Sequence, residues 1–427
     1  MGAALSWEGS AGSSRLVGGI TLPRGRTSRE SNERAATSSM THNQCGDLRI
    51  SEVGVGCYSL AGVYGKKDLD EFARMIRRAH ELGVTFFDTA DAYGNAEPIL
   101  GEIVHDFRGD IHIATKVGVV SGASVDLSPA RVTKACEESL ERLGTDYIDL
   151  YQVHFDDPKT PVEDVVGALE SLVVSGKIRH YGVGHLPADK IARYAEVGRP
   201  LSVLMEISAA ARDARAKLLP LCREHGMAAI AFSTTGRGIL TGTICEGHVF
   251  PDGDIRQYDP LFQREQLRSA LRVAASVAEV ARRHGKTPAQ AAIAWVLAQP
   301  GVVSALTGPS SVAHLEENVG GSGWKISDED LASLEAFLSE EDARLERERR
   351  EAVAGIVSSP LPADPQAAFR DLVYALDTAA ATGICTEAQI VPVFEELLAL
   401  KKAPGAEAAQ KLDDIRRRLA AMVSGRL

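Results

Sequence analysis

Residues 128–154 read SPARVTKACEESLERLGTDYIDLYQVH, a stretch that predicts one helix followed by one strand. Ser128 and Pro129 are typical of a helix start, because serine caps free N–H groups and proline is favoured at the first helical position. Apolar side chains then recur at helical spacing, and Gly144 predicts the helix end. The β-rich run Ile148–His154 follows. The stretch therefore predicts one repeat of an α/β fold.

The same alternation continues along the chain from about residue 50. Short β-rich runs are separated by helical patterns, and the predicted strands are Val53–Cys57, Thr85–Asp88, Ile111–Lys116, Ile148–His154, Ile178–Val183, Ser202–Ile207, Ala228–Ser233 and Val302–Thr307. Eight such repeats are typical of a (β/α)8 TIM barrel. A doubly wound open sheet is the alternative, but no G-x-G-x-x-G motif follows the first strand.

The two ends of the chain differ from this pattern. Residues 1–39 are rich in serine, glycine and arginine without an apolar period, which predicts a disordered tail before a barrel over residues 40–338. Residues 339–427 contain three amphipathic stripes, which predict a C-terminal helical bundle. A unit this small gains stability by packing on a neighbour. We therefore expect it to dock on the barrel or to make a homo-oligomer.

Composition narrows the possible functions. The 427 residues are 44 % hydrophobic and 25 % charged, with a net charge of −11, so nothing favours binding to nucleic acid or to an anionic membrane surface. The six cysteines show no metal-ligand spacing, so no metal site is expected, and reduced thiols favour a cytoplasmic location.

Four polar side chains stand at or just after the carboxyl ends of predicted strands, the end at which barrels carry their active sites. They are Asp88, Tyr93, Lys116 and His154. An ammonium group beside a phenol lowers its pKa, and a carboxylate can hold that ammonium in place. An imidazole can orient a carbonyl oxygen. This set suits protonation of a carbonyl while a nicotinamide or flavin cofactor delivers hydride, since side chains cannot.

The sequence here resembles the aldo-keto reductase superfamily, over about residues 45–338. The blocks that carry the resemblance are Phe87–Gly94, Ile113–Gly118, Glu141–His154 (ERLGTDYIDLYQVH), Gly176–Gly184 (GKIRHYGVG), Ser233–Gly242 (STTGRGILTG) and Gly308–Asn318 (GPSSVAHLEEN). By this resemblance Tyr93 is the general acid, Lys116 and Asp88 tune it, and His154 orients the carbonyl. The implied activity is reduction of an aldehyde or ketone to an alcohol.

The resemblance also implies a cofactor, NADP(H), with NAD(H) as the alternative because His314 stands where many members have arginine or glutamine. The implied cofactor-binding residues are Cys57, Tyr58, Asp88, Gly184, His185, Leu204, Phe232, Ser233, Gly236, Arg237, Gly238, Gly308, Ser310, His314, Glu317 and Asn318. Substrate is expected to contact Tyr58, Tyr64 and Phe155, together with Leu60 and the loop Cys245–Gln263.

Three of these residues depart from the superfamily pattern: His185, Leu204 and Phe232 replace the usual asparagine, glutamine and tyrosine. The turn around His185 is similar to that of the sugar-dehydrogenase branch, whereas Phe250–Gln263 is similar to bacterial and plant carbonyl-reducing members. Two alternatives therefore stand beside carbonyl reduction. One is a sugar 1-dehydrogenase that oxidises an aldose to a lactone, and the other is a cofactor-binding regulatory or scaffold protein.

Overall fold

The structure is a computed structural model that describes residues 40–63, 68–121, 124–400 and 406–425. The chain divides into two compact units. The barrel unit extends to Gln257 and includes Ala274–Asp330, whereas the C-terminal unit comprises Tyr258–Val273 and the chain from Leu331 onward. The predicted disordered tail, residues 1–39, lies outside the described residues.

The described strands are β1 (His42–Cys45), β2 (Leu48–Ser51), β3 (Val53–Gly56), β4 (Phe86–Asp88), β5 (His112–Val117), β6 (Val119–Ser121), β7 (Ser124–Val125), β8 (Ile148–Val153), β9 (Ile178–Gly184), β10 (Ser202–Glu206), β11 (Ala228–Phe232) and β12 (Val302–Thr307). The described α-helices are α1 (Leu69–Glu81), α2 (Ala96–Val104), α3 (Pro129–Leu143), α4 (Val162–Val174), α5 (Ala188–Val197), α6 (Asp213–Glu224), α7 (Arg264–Arg283), α8 (Pro288–Leu297), α9 (Val312–Val319), α10 (Asp328–Ser358), α11 (Pro365–Ala381), α12 (Glu387–Ala399) and α13 (Ala406–Val423).

Eight of these strands close into a parallel barrel in the order β3-β4-β5-β8-β9-β10-β11-β12. The predicted (β/α)8 barrel is confirmed, and the open doubly wound alternative is wrong because the sheet has no free edge. Each predicted strand agrees with the structure to within one residue at either end. Helix α3 carries its proline at the first turn, and Gly144 ends it at a φ of 62°.

The interior of the barrel is built in layers, because alternate residues of each strand point inward. One apolar layer packs with the β1–β2 hairpin and comprises Phe86, Ala114, Leu150, Leu204, Ile230 and Leu306, joined by Cys45, Leu48 and Ile50 of the hairpin. Two residues further along the same strands stand Asp88, Lys116, Gln152, Glu206 and Phe232. The apolar layer thus closes one end, and polar side chains lie toward the carboxyl ends of the strands.

The C-terminal unit has its own apolar core. Its buried members come from α10 to α13 and include Val353, Leu372, Leu376, Ile390, Leu397, Leu412, Ile415 and Leu419. The amphipathic stripes of the sequence therefore pack against one another. Helix α10 runs without a break through residue 338, where the sequence predicts the domain boundary.

The segment Tyr258–Val273 joins this unit through long-range polar contacts. Arg272 of α7 pairs with Glu341 at 2.5 Å, and Glu341 is buried. The Tyr374 hydroxyl donates to Glu265 at 2.7 Å. The sequence prediction that this segment belongs to the barrel is therefore wrong. Its partners are about 70 to 110 residues away along the chain, so no local pattern indicates them. Within the described residues, no helix has the length and apolar character that a membrane crossing requires.

Candidate active site

A buried ion pair lies in the polar layer of the barrel. The Lys116 ammonium is 2.5 Å from Oδ1 of Asp88 and also donates to the Thr89 carbonyl at 2.7 Å. The Gln152 amide donates to Oδ2 of Asp88 at 3.2 Å. Burial raises the pKa of Asp88, and the adjacent Lys116 opposes that rise. The carboxylate is thus held through both of its oxygens, and one of them fixes the ammonium group.

Tyr93 lies in the loop between β4 and α2, five residues after Asp88. Its backbone N–H donates to the Ala90 carbonyl at 3.1 Å, which holds the loop in a turn. The Lys116 ammonium is 4.9 Å from the centroid of the Tyr93 ring. The ring centroid of His154 is 5.8 Å from that of Tyr93, with the rings nearly perpendicular at 73°. The structure thus brings all four predicted catalytic residues together.

His154 follows β8 and is almost fully buried, with 4 % of its surface exposed. Burial, and then the nearby charge of Lys116, lower the pKa of His154 well below its usual value. The imidazole is therefore neutral at physiological pH, and it can donate or accept a hydrogen bond without carrying charge.

His185 follows β9 and has a left-handed backbone, with a φ of 51°. Its ring lies 5.5 Å from His154, 4.9 Å from Phe155 and 4.9 Å from Phe232, centroid to centroid. Desolvation by these neighbours, and then the charge of Lys116, lower the pKa of His185 to about 4 even though its residue surface is exposed. The ring is therefore neutral, like that of His154. Gly184 precedes it, and a Cβ there would lie 3.2 Å from Cβ of Leu204.

The loop after β11 is conformationally unusual. Ser233 and Arg237 have φ values of 54° and 52°, and Gly236 and Gly238 are also left-handed. Arg237 is paired with Glu206 at the end of β10, with nitrogen–oxygen distances of 2.6 and 2.9 Å. The N–H groups of Gly236 and Gly238 both donate to carbonyls inside the loop, at 2.7 and 3.2 Å, so the left-handed residues form consecutive tight turns.

The segment after β12 leads into α9. The Ser311 hydroxyl caps this helix by accepting from the His314 N–H at 3.2 Å, and the Ser310 hydroxyl bonds the His314 ring at 2.8 Å. The Val312 N–H donates to a carboxylate oxygen of Glu71 at 3.1 Å. Gly308 has open space around it, Glu317 is half-buried and Asn318 is buried. A carboxylate at this N–H shows that the start of α9 accepts negative charge.

These residues fit a dinucleotide cofactor. At the strand ends, three buried polar atoms have no hydrogen-bond partner within the described chain: Thr89 Oγ1, Gln152 Oε1 and His154 Nδ1. Unpaired buried polar atoms are unfavourable, so such a cluster suits a ligand with hydrogen-bonding groups. The start of α9, a helix N-terminus that already holds a carboxylate, suits a phosphate.

The expected substrate residues lie near Tyr93. Tyr58 is 37 % exposed, and its ring lies 4.9 Å from that of Tyr93. Phe155 stacks on His154 at 4.6 Å. Cys57 bonds the Asp88 carbonyl through its N–H at 2.8 Å, and burial raises the pKa of its thiol. Leu60 is half-buried, and Tyr64 lies outside the described residues.

Comparison with known proteins decides the family. The Aldo/keto reductase family matches residues 52–339. The chain belongs to this family. The aldo-keto reductase str7 of Strobilurus tenacellus is 35 % identical over 329 residues, which cover 74 % of this chain and 97 % of that protein. The aldo-keto reductase yakc [NADP(+)] of Schizosaccharomyces pombe is 32 % identical over 302 residues, covering 68 % of this chain and 89 % of that protein.

Solved structures of aldo-keto reductases agree with the fold. A glycerol dehydrogenase of Gluconobacter oxydans has a TM-score of 0.65 at 28 % identity, covering 71 % of this chain and 96 % of that one. The holo form of an aldo-keto reductase of Bacillus halodurans has a TM-score of 0.59 at 28 % identity, covering 70 % and 96 %. The protein is therefore an NAD(P)H-dependent oxidoreductase of the aldo-keto reductase family.

Sequence reasoning missed two contributors to this aldo-keto reductase site. Gln152 lies two residues before His154 on β8 and beside Lys116 in register, so strand alternation would have placed it in the same interior. The same alternation places Glu206 in this layer, two residues after Leu204, whereas its pairing with Arg237 had no local signal because the two residues meet only when β10 and β11 are adjacent.

Proposed function

We propose that the protein reduces an aldehyde or ketone to an alcohol, with Tyr93 as the general acid. The observation that carries the proposal is the buried Asp88–Lys116 pair beside the Tyr93 ring, with neutral His154 across from it. A bound nicotinamide would supply hydride to the carbonyl carbon. The chain's own residues then have to bind the oxygen and give it a proton.

Each residue has a distinct part in this proposal. The Lys116 ammonium stabilises a phenolate on Tyr93 as the proton leaves, and Asp88 holds that ammonium so that it does not turn away. His154 donates a hydrogen bond to the carbonyl oxygen from a neutral ring, which orients the substrate without competing as an acid.

The proposed cofactor is NADP(H), with NAD(H) as the alternative. Its phosphates would be held by the loop Ser233–Gly238 and by Gly308 and Ser310 before α9, with His314, Glu317 and Asn318 at the adenosine end. The carboxylate bound at the α9 N-terminus supports the assignment of the residues before α9. A relative whose name gives NADP(+) also favours the phosphorylated form.

The decisive variant is Tyr93→Phe, which removes the proton donor and leaves the ring. We expect kcat for a reducible aldehyde to fall by roughly 10²–10⁴-fold, the usual contribution of a general acid. NADPH binding, followed by cofactor fluorescence, should stay within about twofold, because the hydroxyl is not needed to hold the cofactor.

Tyr147→Phe is the matched control. The Tyr147 ring lies between the guanidinium groups of Arg108 and Arg179, contacts that do not need its hydroxyl, so activity should be retained. Equal loss in both variants, or full turnover by Tyr93→Phe, would rule out the assigned role.

A second candidate is the reverse reaction, oxidation of an aldose to a lactone or of a polyol. The sequence turn at Gly184–Pro187 and the likeness to a solved glycerol dehydrogenase favour it. A panel of aldoses and polyols with NADP⁺ and NAD⁺ at alkaline pH separates the two directions. No oxidation product from any member would remove this candidate.

We also propose a cytoplasmic location and self-association of the chain. All six cysteines are free thiols, as expected in a reducing compartment. Because the stripes of α11 to α13 are used within their own core, self-association would use the outer faces of these helices. Sedimentation velocity of the full chain tests it, and a monomer at micromolar concentration would contradict it.

A further inference from the structure

The ring of His154 lacks a common means of fixing its orientation. Its Nδ1 atom is buried and has no hydrogen-bond partner within the described chain. Imidazoles that act on a substrate through one nitrogen are usually oriented by a hydrogen bond to the other. The plane of this ring must therefore be set by the groups packed against it.

Besides the Tyr93 ring, whose edge-on centroid lies 5.8 Å away, two aromatic rings pack against His154. Phe155 stacks on His154 with centroids 4.6 Å apart and planes at 21°. His185 contacts both of them, at 4.9 Å from Phe155 and 5.5 Å from His154. These three rings, which we call the His154 cluster, bridge the carboxyl ends of the neighbouring strands β8 and β9.

His185 is itself fixed in place. Its backbone is left-handed at a φ of 51°, a conformation that a non-glycine residue adopts only when its surroundings hold it there. The ring of Phe232 at the end of β11 lies 4.9 Å from the His185 ring. Strain of this kind is concentrated at functional sites.

We propose that His185 is a positioning residue that holds the plane of the His154 ring through the His154 cluster. Its left-handed backbone places the ring against His154, and its contact with Phe155 holds that ring on His154. The consequence for catalysis rests on the proposed function, in which His154 orients the substrate carbonyl.

The test is His185→Asn in the full chain. Asparagine tolerates the left-handed conformation, so the backbone should be preserved while the ring is lost. Losing an aromatic contact is worth up to about tenfold in an equilibrium or a rate, so we expect kcat to fall by up to about tenfold. Because the family usually has asparagine at this position, kcat alone does not decide the inference. Protein labelled with ¹⁵N-histidine and free of cofactor provides a second readout. The His154 nitrogen shifts, assigned with His154→Asn, should move toward the average of the two tautomers.

His180→Asn is the matched control, since it makes the same substitution near the opposite end of β9. His180 pairs with Asp47 at 2.5 Å and is not in the His154 cluster, so the His154 shifts and kcat should stay unchanged. Phe155→Leu removes the middle ring and should shift the His154 signals as His185→Asn does.

The two readouts separate the possible failures. Unchanged His154 shifts in both His185→Asn and Phe155→Leu would overturn the inference, even if kcat fell, because His185 would then act on a ligand directly. Absence of any turnover by the unsubstituted protein would instead count against the proposed function. The spectra of the cofactor-free protein would still decide whether the cluster holds His154.

Discussion

Asp91 is a buried carboxyl group in the loop that carries Tyr93. Replacing it with asparagine should change how the unfolding free energy of the protein depends on pH. Only 6 % of its side chain is exposed, and neither oxygen has a side-chain hydrogen-bond donor among the described residues. Its nearest cation, Arg131, is 3.6 Å away. Burial, and then the charge of Glu97, raise the pKa of Asp91 to about 7.

The sign of the effect follows from comparing the folded and unfolded chains. An unfolded aspartate loses its proton at about pH 3.9, whereas folded Asp91 keeps its proton until about pH 7. The folded state therefore binds more protons between these values, and the stability that this proton provides is lost as pH rises. An asparagine amide resembles the protonated acid at every pH, so Asp91→Asn should remove the loss.

The magnitude follows from the same interval. Each pH unit between pH 5 and the folded pKa of about 7 lowers the unfolding free energy of the unsubstituted protein by about 1.4 kcal/mol, so the two units amount to about 3 kcal/mol. We expect Asp91→Asn to gain about that much unfolding free energy relative to the unsubstituted protein between pH 5 and pH 8. Most of the gain should fall between pH 5 and pH 7.

Urea unfolding at four pH values from 5 to 8 measures this difference. Tryptophan fluorescence suits it, because Trp295 and Trp324 both lie in the barrel unit. Asp106→Asn, at a carboxylate that is 79 % exposed, controls for the loss of one negative charge. The reasoning would be refuted if the difference in unfolding free energy between Asp91→Asn and the unsubstituted protein did not change with pH, or if it became smaller as pH rises.

Two further predictions concern the buried ion pair and the packing of the outer helices. Lys116→Met leaves Asp88 buried without its cation, so the unfolding free energy measured by urea titration should fall by about 3–5 kcal/mol. The Asp88→Asn/Lys116→Met double variant should lose less, because no charge is then left buried without a partner. Equal losses of unfolding free energy in the single and the double variant would contradict this. Gly101→Ala places a methyl group 2.4 Å from the Leu143 carbonyl oxygen and should destabilise the barrel by about 1–3 kcal/mol, measured by urea unfolding. Gly167→Ala, on α4 with no neighbour within 4 Å, should instead stabilise the barrel by up to about 1 kcal/mol. If the two glycine variants changed the unfolding free energy in the same direction, the packing described would be contradicted.

The barrel, and the closeness of the side chains that we propose as catalytic, could be predicted from sequence because their signals are local. The strand runs and the intervening helix caps each occupy fewer than about 20 residues, and barrel topology brings every strand's carboxyl end to one face. That geometry places Asp88, Lys116 and His154 together once the strands are identified. Gln152 could have been predicted by the same alternation.

Features that depend on distant partners could not be predicted. The left-handed backbone of His185 has no signature in its neighbours, and the Arg237–Glu206 pair joins residues 31 positions apart. The segment Tyr258–Val273 belongs to the C-terminal unit because of contacts such as Tyr374 with Glu265, 109 positions away. By contrast, the start of α10 at Asp328 has a local signal, because a serine directly before a helix is a typical N-cap. In the structure the Ser327 hydroxyl accepts from the Asp330 N–H as such a cap does.

The order of the layers in the barrel explains how charge and catalysis coexist there. Above the apolar layer, Asp88 is paired with Lys116 and Glu206 with Arg237, so these four charges are compensated within the protein. Tyr93, His154 and His185 lie beyond them, and desolvation by neighbouring groups together with the charge of Lys116 keeps both imidazoles neutral. A substrate carbonyl would therefore meet uncharged hydrogen-bonding groups. In the proposed reaction, the fixed ammonium of Lys116 would stabilise the charge that develops on the Tyr93 oxygen during proton transfer, which is the role that electrostatic preorganisation has in catalysis.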